Sequence, residues 1–174
     1  MTGQRRSVSV RMDTLSHWAN RLAEWVMTTL LAAMTLLVGV QIAGRFVFAY
    51  SIFWSDELTR FFLIWISFLG MSVGIRRGAH PGIDSLVRLL PPRSVRFVLA
   101  LALVLSLLFF AVMVVYGGTL VLITWPQRSV SLGIRMSLPY LAVPISGLLM
   151  FLHAVAIAMQ GERPFFALKE GRLG

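Results

Sequence analysis

The sequence predicts an all-α integral membrane protein with four transmembrane helices and short interfacial amphipathic helices. Three observations carry this. Only 13% of the 174 residues are charged and 57% are apolar, a charge content about half the roughly 25% of a soluble domain. The charges are confined to short intervals. Between them lie four apolar runs that so little polar surface could not keep in water.

The expected spans are 24–48, 56–77, 97–125 and 137–160. Trp25 to Gly44 gives twenty residues between Glu24 and Arg45, about 30 Å of helix, which matches a bilayer core. An arginine near a span's end snorkels, so the run extends past Arg45 to Phe48. Phe61 to Ile75 is only fifteen residues long; it suffices when the helix starts near Asp56 and Arg60 sits among the headgroups. Phe97 to Gln127 is thirty-one residues, about 46 Å if helical throughout, longer than the core. Its ends must project, tilt or unwind, and Pro126 favours a break there. The fourth run, Met136 to Gly161, holds Pro139, suited to a first turn, and Pro144, which should bend the helix near its outer end.

Two amphipathic stretches flank these runs. In 12–23 and just beyond, Leu15, Trp18, Leu22 and Trp25 recur at helical spacing, reading as a lead-in near the inner leaflet. In 82–90, Ile83, Leu86, Val87 and Leu90 form an apolar stripe, with Asp84 and Arg88 one turn apart, before Pro91 and Pro92. Both read as structural features, with partner docking as the alternative. The first apolar run is too long for a secretory signal and no small-residue cleavage pattern follows it.

Basic residues set the expected orientation. Twelve lie before the first span, between the second and third, and in the tail; Arg45, Arg60, Arg128 and Arg135 fall in the other two connections. The expectation is a multi-pass protein of the bacterial inner membrane with both termini cytoplasmic. The formal charge of +9 then points to anionic membrane lipids, not to nucleic acid.

Catalytic chemistry has little to stand on. Cysteine is absent, and His17, His80 and His153 are too far apart in sequence to form a ligand-spaced cluster. There is no Walker A loop, HExxH or dinucleotide fingerprint. No enzyme activity, cofactor or metal is expected. His153 reads as a packing residue in the fourth span, with a proton relay as the alternative. Gln41 reads as a hydrogen-bonding partner for a neighbouring helix, with a substrate contact as the alternative.

The polar residues that stand out open the second span, in Trp54-Ser-Asp-Glu-Leu-Thr-Arg60. Ser55 is suited to cap the helix, and Asp56 and Glu57 favour its positive end. Either acid shares a face with Arg60. The cluster is a solvated helix start with Trp54 as an aromatic anchor, or part of it faces protein, since charges toward lipid are costly. Arg45 is a candidate to pair with Asp56 or Glu57 and tie the first two spans together. Gly70, Gly74 and Gly78 place glycine at four-residue spacing, a face that lets another helix approach.

The order Trp54-Ser-Asp-Glu-Leu-Thr-Arg60, Trp65-Ile-Ser-Phe-Leu-Gly70, Arg77-Gly-Ala-His80 with Asp84, then Ser131-Leu-Gly133 and Ala142-Val-Pro-Ile-Ser-Gly147, resembles the small, DctQ-like membrane subunit of tripartite ATP-independent periplasmic (TRAP) transporters. The resemblance covers roughly residues 15 to 160. It implies a scaffold subunit for a large multispanning TRAP membrane subunit, which holds the substrate and ion sites. It also implies a periplasmic solute-binding protein that delivers an organic acid. By this resemblance Glu57, Arg60, Trp54, Trp65 and His80 match family positions, none of them catalytic. Arg135 and Ser137 depart from the proline and aromatic residues common there, and Pro81 from an apolar residue. The competing reading of the residues is a small membrane anchor or electron-transfer subunit of an enzyme complex.

Overall fold

A computed structural model describes residues 2–47, 49–50, 52–77 and 92–160. The described elements are α1 (Thr2–Val47), α2 (Ser55–Arg76), α3 (Pro92–Thr124), the short α4 (Ser137–Tyr140) and α5 (Ala142–Gln160). Among the described residues four helical stretches are long and apolar enough to cross a membrane: Met12–Val47, Ser55–Arg76, Phe97–Thr124 and Ser137–Met159. The protein is an all-α, multi-pass membrane protein.

The lead-in and the first span form one unbroken helix. At 46 residues α1 is about 69 Å long and must outrun the bilayer. Its N-terminal half is inverted relative to a soluble amphipathic helix. Ser16, Asn20 and Ala23 are buried against the bundle, whereas Leu15, Trp18, Leu22 and Trp25 face outward, the two tryptophans 71% and 73% exposed. This suits a helix whose outer neighbour is lipid and whose inner neighbours satisfy its polar groups. Beyond Val47, Ala49 takes the left-handed φ of 50° and Tyr50 N–H donates to the Gly44 carbonyl at 3.0 Å, drawing the chain back over the helix end.

Helix α2 starts without the side-chain cap expected of Ser55. Trp54, at φ −81° and ψ −16°, already has helical dihedrals and occupies the cap position. The Ser55 hydroxyl turns back to the Ile52 carbonyl at 2.6 Å. Asp56 and Glu57 occupy the first turn and Arg76 the last, the arrangement the helix dipole favours.

Pro92 is the first residue of α3, where its missing N–H costs nothing, so the helix starts before the apolar run at Phe97. It ends at Thr124, two residues ahead of Pro126, and the Thr124 hydroxyl bonds back to Leu120 O at 2.8 Å. The final span is irregular around Leu141 but stays helical there, with φ −57° and ψ −24°. Pro144 has no N–H to offer the Tyr140 carbonyl, while Leu141 N–H still bonds Ser137 O and Ile145 N–H bonds Leu141 O.

Helix α5 is the hub and packs against α1, α2 and α3. One apolar cluster joins Ile75 of α2, Leu99 and Phe110 of α3, and Met150 and Ala154 of α5. A second joins Ala23 of α1 to Leu69 and Val73 of α2, flanked by Met27, Trp65 and Leu149. The two clusters, with the Asp13–Arg76 pair, place the N-terminal half of α1, the end of α2, the start of α3 and the end of α5 at one end of the bundle, here the terminal end. The α1–α2 and α3–α4 connections lie at the other.

Candidate functional site

Helices α3 and α5 approach through two glycines that sequence reading did not single out as a pair. A Cβ on Gly117 would lie 2.9 Å from Val143 Cγ1 and 3.0 Å from Pro144 Cδ; one on Gly147 would lie 3.1 Å from Met113 Cβ. A side chain at Gly117 would force Val143 to shift, and one at Gly147 would press its neighbours by a few tenths of an ångström, so glycine favours this close approach. The glycines that sequence reading did choose are placed differently. Gly70 faces Met27, whose Sδ would be 3.5 Å from an added Cβ, and Gly74 has nothing within 4 Å. Gly78 and His80 lie outside the described residues, as does the stretch 82–90.

Polar contacts concentrate at the two ends of the bundle. At the connection end, Gln41 of α1 donates its amide N–H to Asp56 of α2, the helix-to-helix role read for it. Among the described residues Glu57 forms no ion pair. Its Oε2 accepts the backbone N–H groups of Ser131 at 2.9 Å and Leu132 at 3.2 Å. These residues form the tip of a turn whose flanks are joined by an Arg128–Arg135 bridge and by Ser129 N–H to Ile134 O at 2.8 Å. Gly133 closes the turn at φ +67°, a left-handed position that costs a side-chain-bearing residue about 1–2 kcal/mol. The carboxylate of α2 thus clamps the α3–α4 connection through two charge-assisted bonds.

Around that clamp, Trp65 Nε1–H reaches the Leu138 carbonyl at 3.3 Å, joining α2 to α4. Arg135 stacks over the Trp125 ring, 4.2 Å from its centroid, and Arg128 donates to the Gly133 carbonyl at 2.9 Å. Among the described residues Arg45 forms no ion pair with Asp56 or Glu57, because Gln41, one turn earlier, takes the first and the connection's amides take the second. Arg45, Trp54 and Arg60 are exposed.

The terminal end has a second polar set. Asp13 pairs with Arg76, and Glu24 accepts from Arg77 Nη2 at 2.8 Å and Nε at 3.2 Å. Asn20 also donates to Glu24 at 2.8 Å. Inside them, Ser16 Oγ and His153 Nδ1 lie 2.8 Å apart, and both residues are 0% exposed. His153 is therefore hydrogen-bonded in the α1–α5 interface. Among the described residues its Nε2 has no hydrogen-bond partner, and no group of metal-ligating side chains occurs.

The architecture defines a class: a small multi-pass membrane bundle whose polar side chains hold its helices and connections to one another. Residues 34–163 match the family model of the tripartite ATP-independent periplasmic transporters, DctQ component. The chain belongs to this family and is a DctQ-like small TRAP permease subunit; as such it is not an enzyme. It is 35% identical over 80 residues to the sialic acid TRAP transporter permease protein SiaT of Haemophilus influenzae, covering 46% of this chain and 13% of that one. It is 30% identical over 104 residues to the C4-dicarboxylate TRAP transporter small permease protein DctQ of Vibrio cholerae, covering 60% and 44%. A putative TRAP transporter small permease protein of Haemophilus influenzae is 27% identical over 145 residues, covering 79% and 86%. The matches to SiaT and to the Vibrio DctQ thus span less than half of those proteins.

Proposed function

We propose that the chain is the fixed small subunit of a TRAP-type secondary transporter, supporting a large membrane subunit that carries out ion-coupled uptake of organic acids. The observation that carries this reading is the clamp at Glu57. A carboxylate at the end of a span, the natural candidate for a solute or ion contact, is spent on holding the chain's own connection. Gln41, the amide deep in the first span, is likewise spent on α2. The polar groups stiffen the bundle, which is what a support for a larger membrane subunit requires.

The same reading puts the protein in a bacterial inner membrane with both termini cytoplasmic, since most of the basic residues lie before the first span, between the second and third, and in the tail. The α3–α4 connection then faces the periplasm, and its tip, with Val130 99% exposed, is a surface for the solute-binding protein. The large subunit packs along the helices, where the uncovered Gly74 gives it a close approach. The named relatives serve sialic acid and C4-dicarboxylates, both organic acids, which supports a solute of that class. Co-purification in mild detergent tests the reading. A large multispanning membrane protein accompanies the chain if it holds, and the chain is recovered alone if it does not.

A further inference from the structure

A groove of about 340 Å³ runs between α1, α2 and α4, walled by Val26 and Leu30, by Phe61, Phe62 and Trp65, and by Leu138. The one polar atom of these six side chains, Trp65 Nε1, is directed to the Leu138 carbonyl. These side chains offer water no free hydrogen-bonding partner. Left empty, the groove's lining would forfeit dispersion contacts on one side. All three walls belong to stretches able to cross a membrane, so the surrounding solvent is hydrocarbon.

We propose that this groove holds one acyl chain of a glycerophospholipid from the leaflet at the connection end, with its phosphodiester at Arg45. Length supports the assignment. Leu30 and Arg45 are fifteen residues apart on the same helix, a rise of about 22 Å. Half of a bilayer measured across its headgroups is about 20–22 Å. A lipid whose phosphate lies level with Arg45 therefore ends its chain beside Leu30. Charge supports it as well. The two acids of this end are engaged by Gln41 and by the Ser131 and Leu132 amides, while Arg45 is exposed and forms no ion pair among the described residues. Apolar side chains from a partner helix would fill the groove without using that cation. The proposal requires only that the helices cross a bilayer, and it is independent of the transport reading.

The test uses the full chain, purified from membranes with any subunit that accompanies it and placed in nanodiscs of phosphatidylglycerol. A rising fraction of the lipid carries bromine midway along its acyl chains. Trp65 is the reporter, with Trp18, Trp25, Trp54 and Trp125 changed to Phe; a second variant keeps only Trp25. The expected result is saturable quenching of Trp65 at a low brominated fraction, against quenching of Trp25 in proportion to that fraction, and loss of the saturable phase on Val26→Phe. Native mass spectrometry of the chain with all its tryptophans should show one retained phospholipid, lost in Val26→Phe and depleted in Arg45→Gln. Quenching of Trp65 that merely follows the bulk fraction, or a chain that retains no lipid, overturns the proposal. So does a Trp65 that is quenched only after an accompanying subunit is removed, which would assign the groove to that partner.

Discussion

Ser16 on α1 and His153 on α5 are 137 positions apart in sequence and 2.8 Å apart in the bundle, both buried. Their contact fixes the N-terminal half of α1 against the bundle, so this half stands in line with the span. Removing the Ser16 hydroxyl strands a buried ring nitrogen, which costs about 1–3 kcal/mol. Ser16→Ala should therefore lower the unfolding temperature in detergent. Adding His153→Leu should cost less than the two single effects summed. Strict additivity would show that the pair is not coupled.

The Glu57 clamp makes a separate prediction, read in the connection it holds. Glu57→Ala removes both bonds to the Ser131 and Leu132 amides. Hydrogen bonds to a charged group are worth about 1.5–3 kcal/mol, so these two amides should exchange with solvent at least about tenfold faster. Glu57→Gln keeps an acceptor oxygen and should give an intermediate rate. Hydrogen–deuterium exchange on the peptide around 127–136 reads both.

At the same end, a double-mutant cycle between Gln41 and Asp56 should show coupling of about 0.5–1.5 kcal/mol or more. The cycle between Arg45 and Glu57 should show none within error. Thermal stability in detergent measures both cycles, and coupling only in the second would reverse the assignment of partners.

The glycines separate internal packing from partner packing. Gly117→Leu drives a side chain into Val143 and Pro144 and should destabilise the isolated chain, since overpacking costs about 1–3 kcal/mol or more. Gly74→Leu enters open space and should leave the isolated chain's unfolding temperature unchanged. It should weaken co-purification of the large subunit if that helix face is the contact.

What the sequence made legible was the part governed by periodicity and by the scarcity of charge: four apolar stretches, helical conformation at 12–23, and the polar opening of α2. The sequence predicts a separate interfacial helix at 12–23, whereas α1 runs unbroken from Thr2 to Val47 with Ser16 and Asn20 turned inward. The long-range pairs were not legible. Nothing in a serine at 16 and a histidine at 153 announces a contact, because their pairing depends on how α1 packs against α5. The ion pair expected of Arg45 failed for a local reason, since Gln41 one turn earlier already reaches Asp56. The cap expected of Ser55 failed because the helical dihedrals begin at Trp54. The Gly117–Gly147 approach had a signal in Tyr116-Gly-Gly118 and Ser146-Gly147, but glycine pairs 30 residues apart in sequence name no partner until the helices are packed.

The proposed supporting role is tested most directly by solute uptake into vesicles that contain the large membrane subunit and are supplied with the binding protein, with and without this chain. Uptake should require the chain, and restoring it should restore transport. Full uptake by the large subunit and binding protein alone would contradict the account.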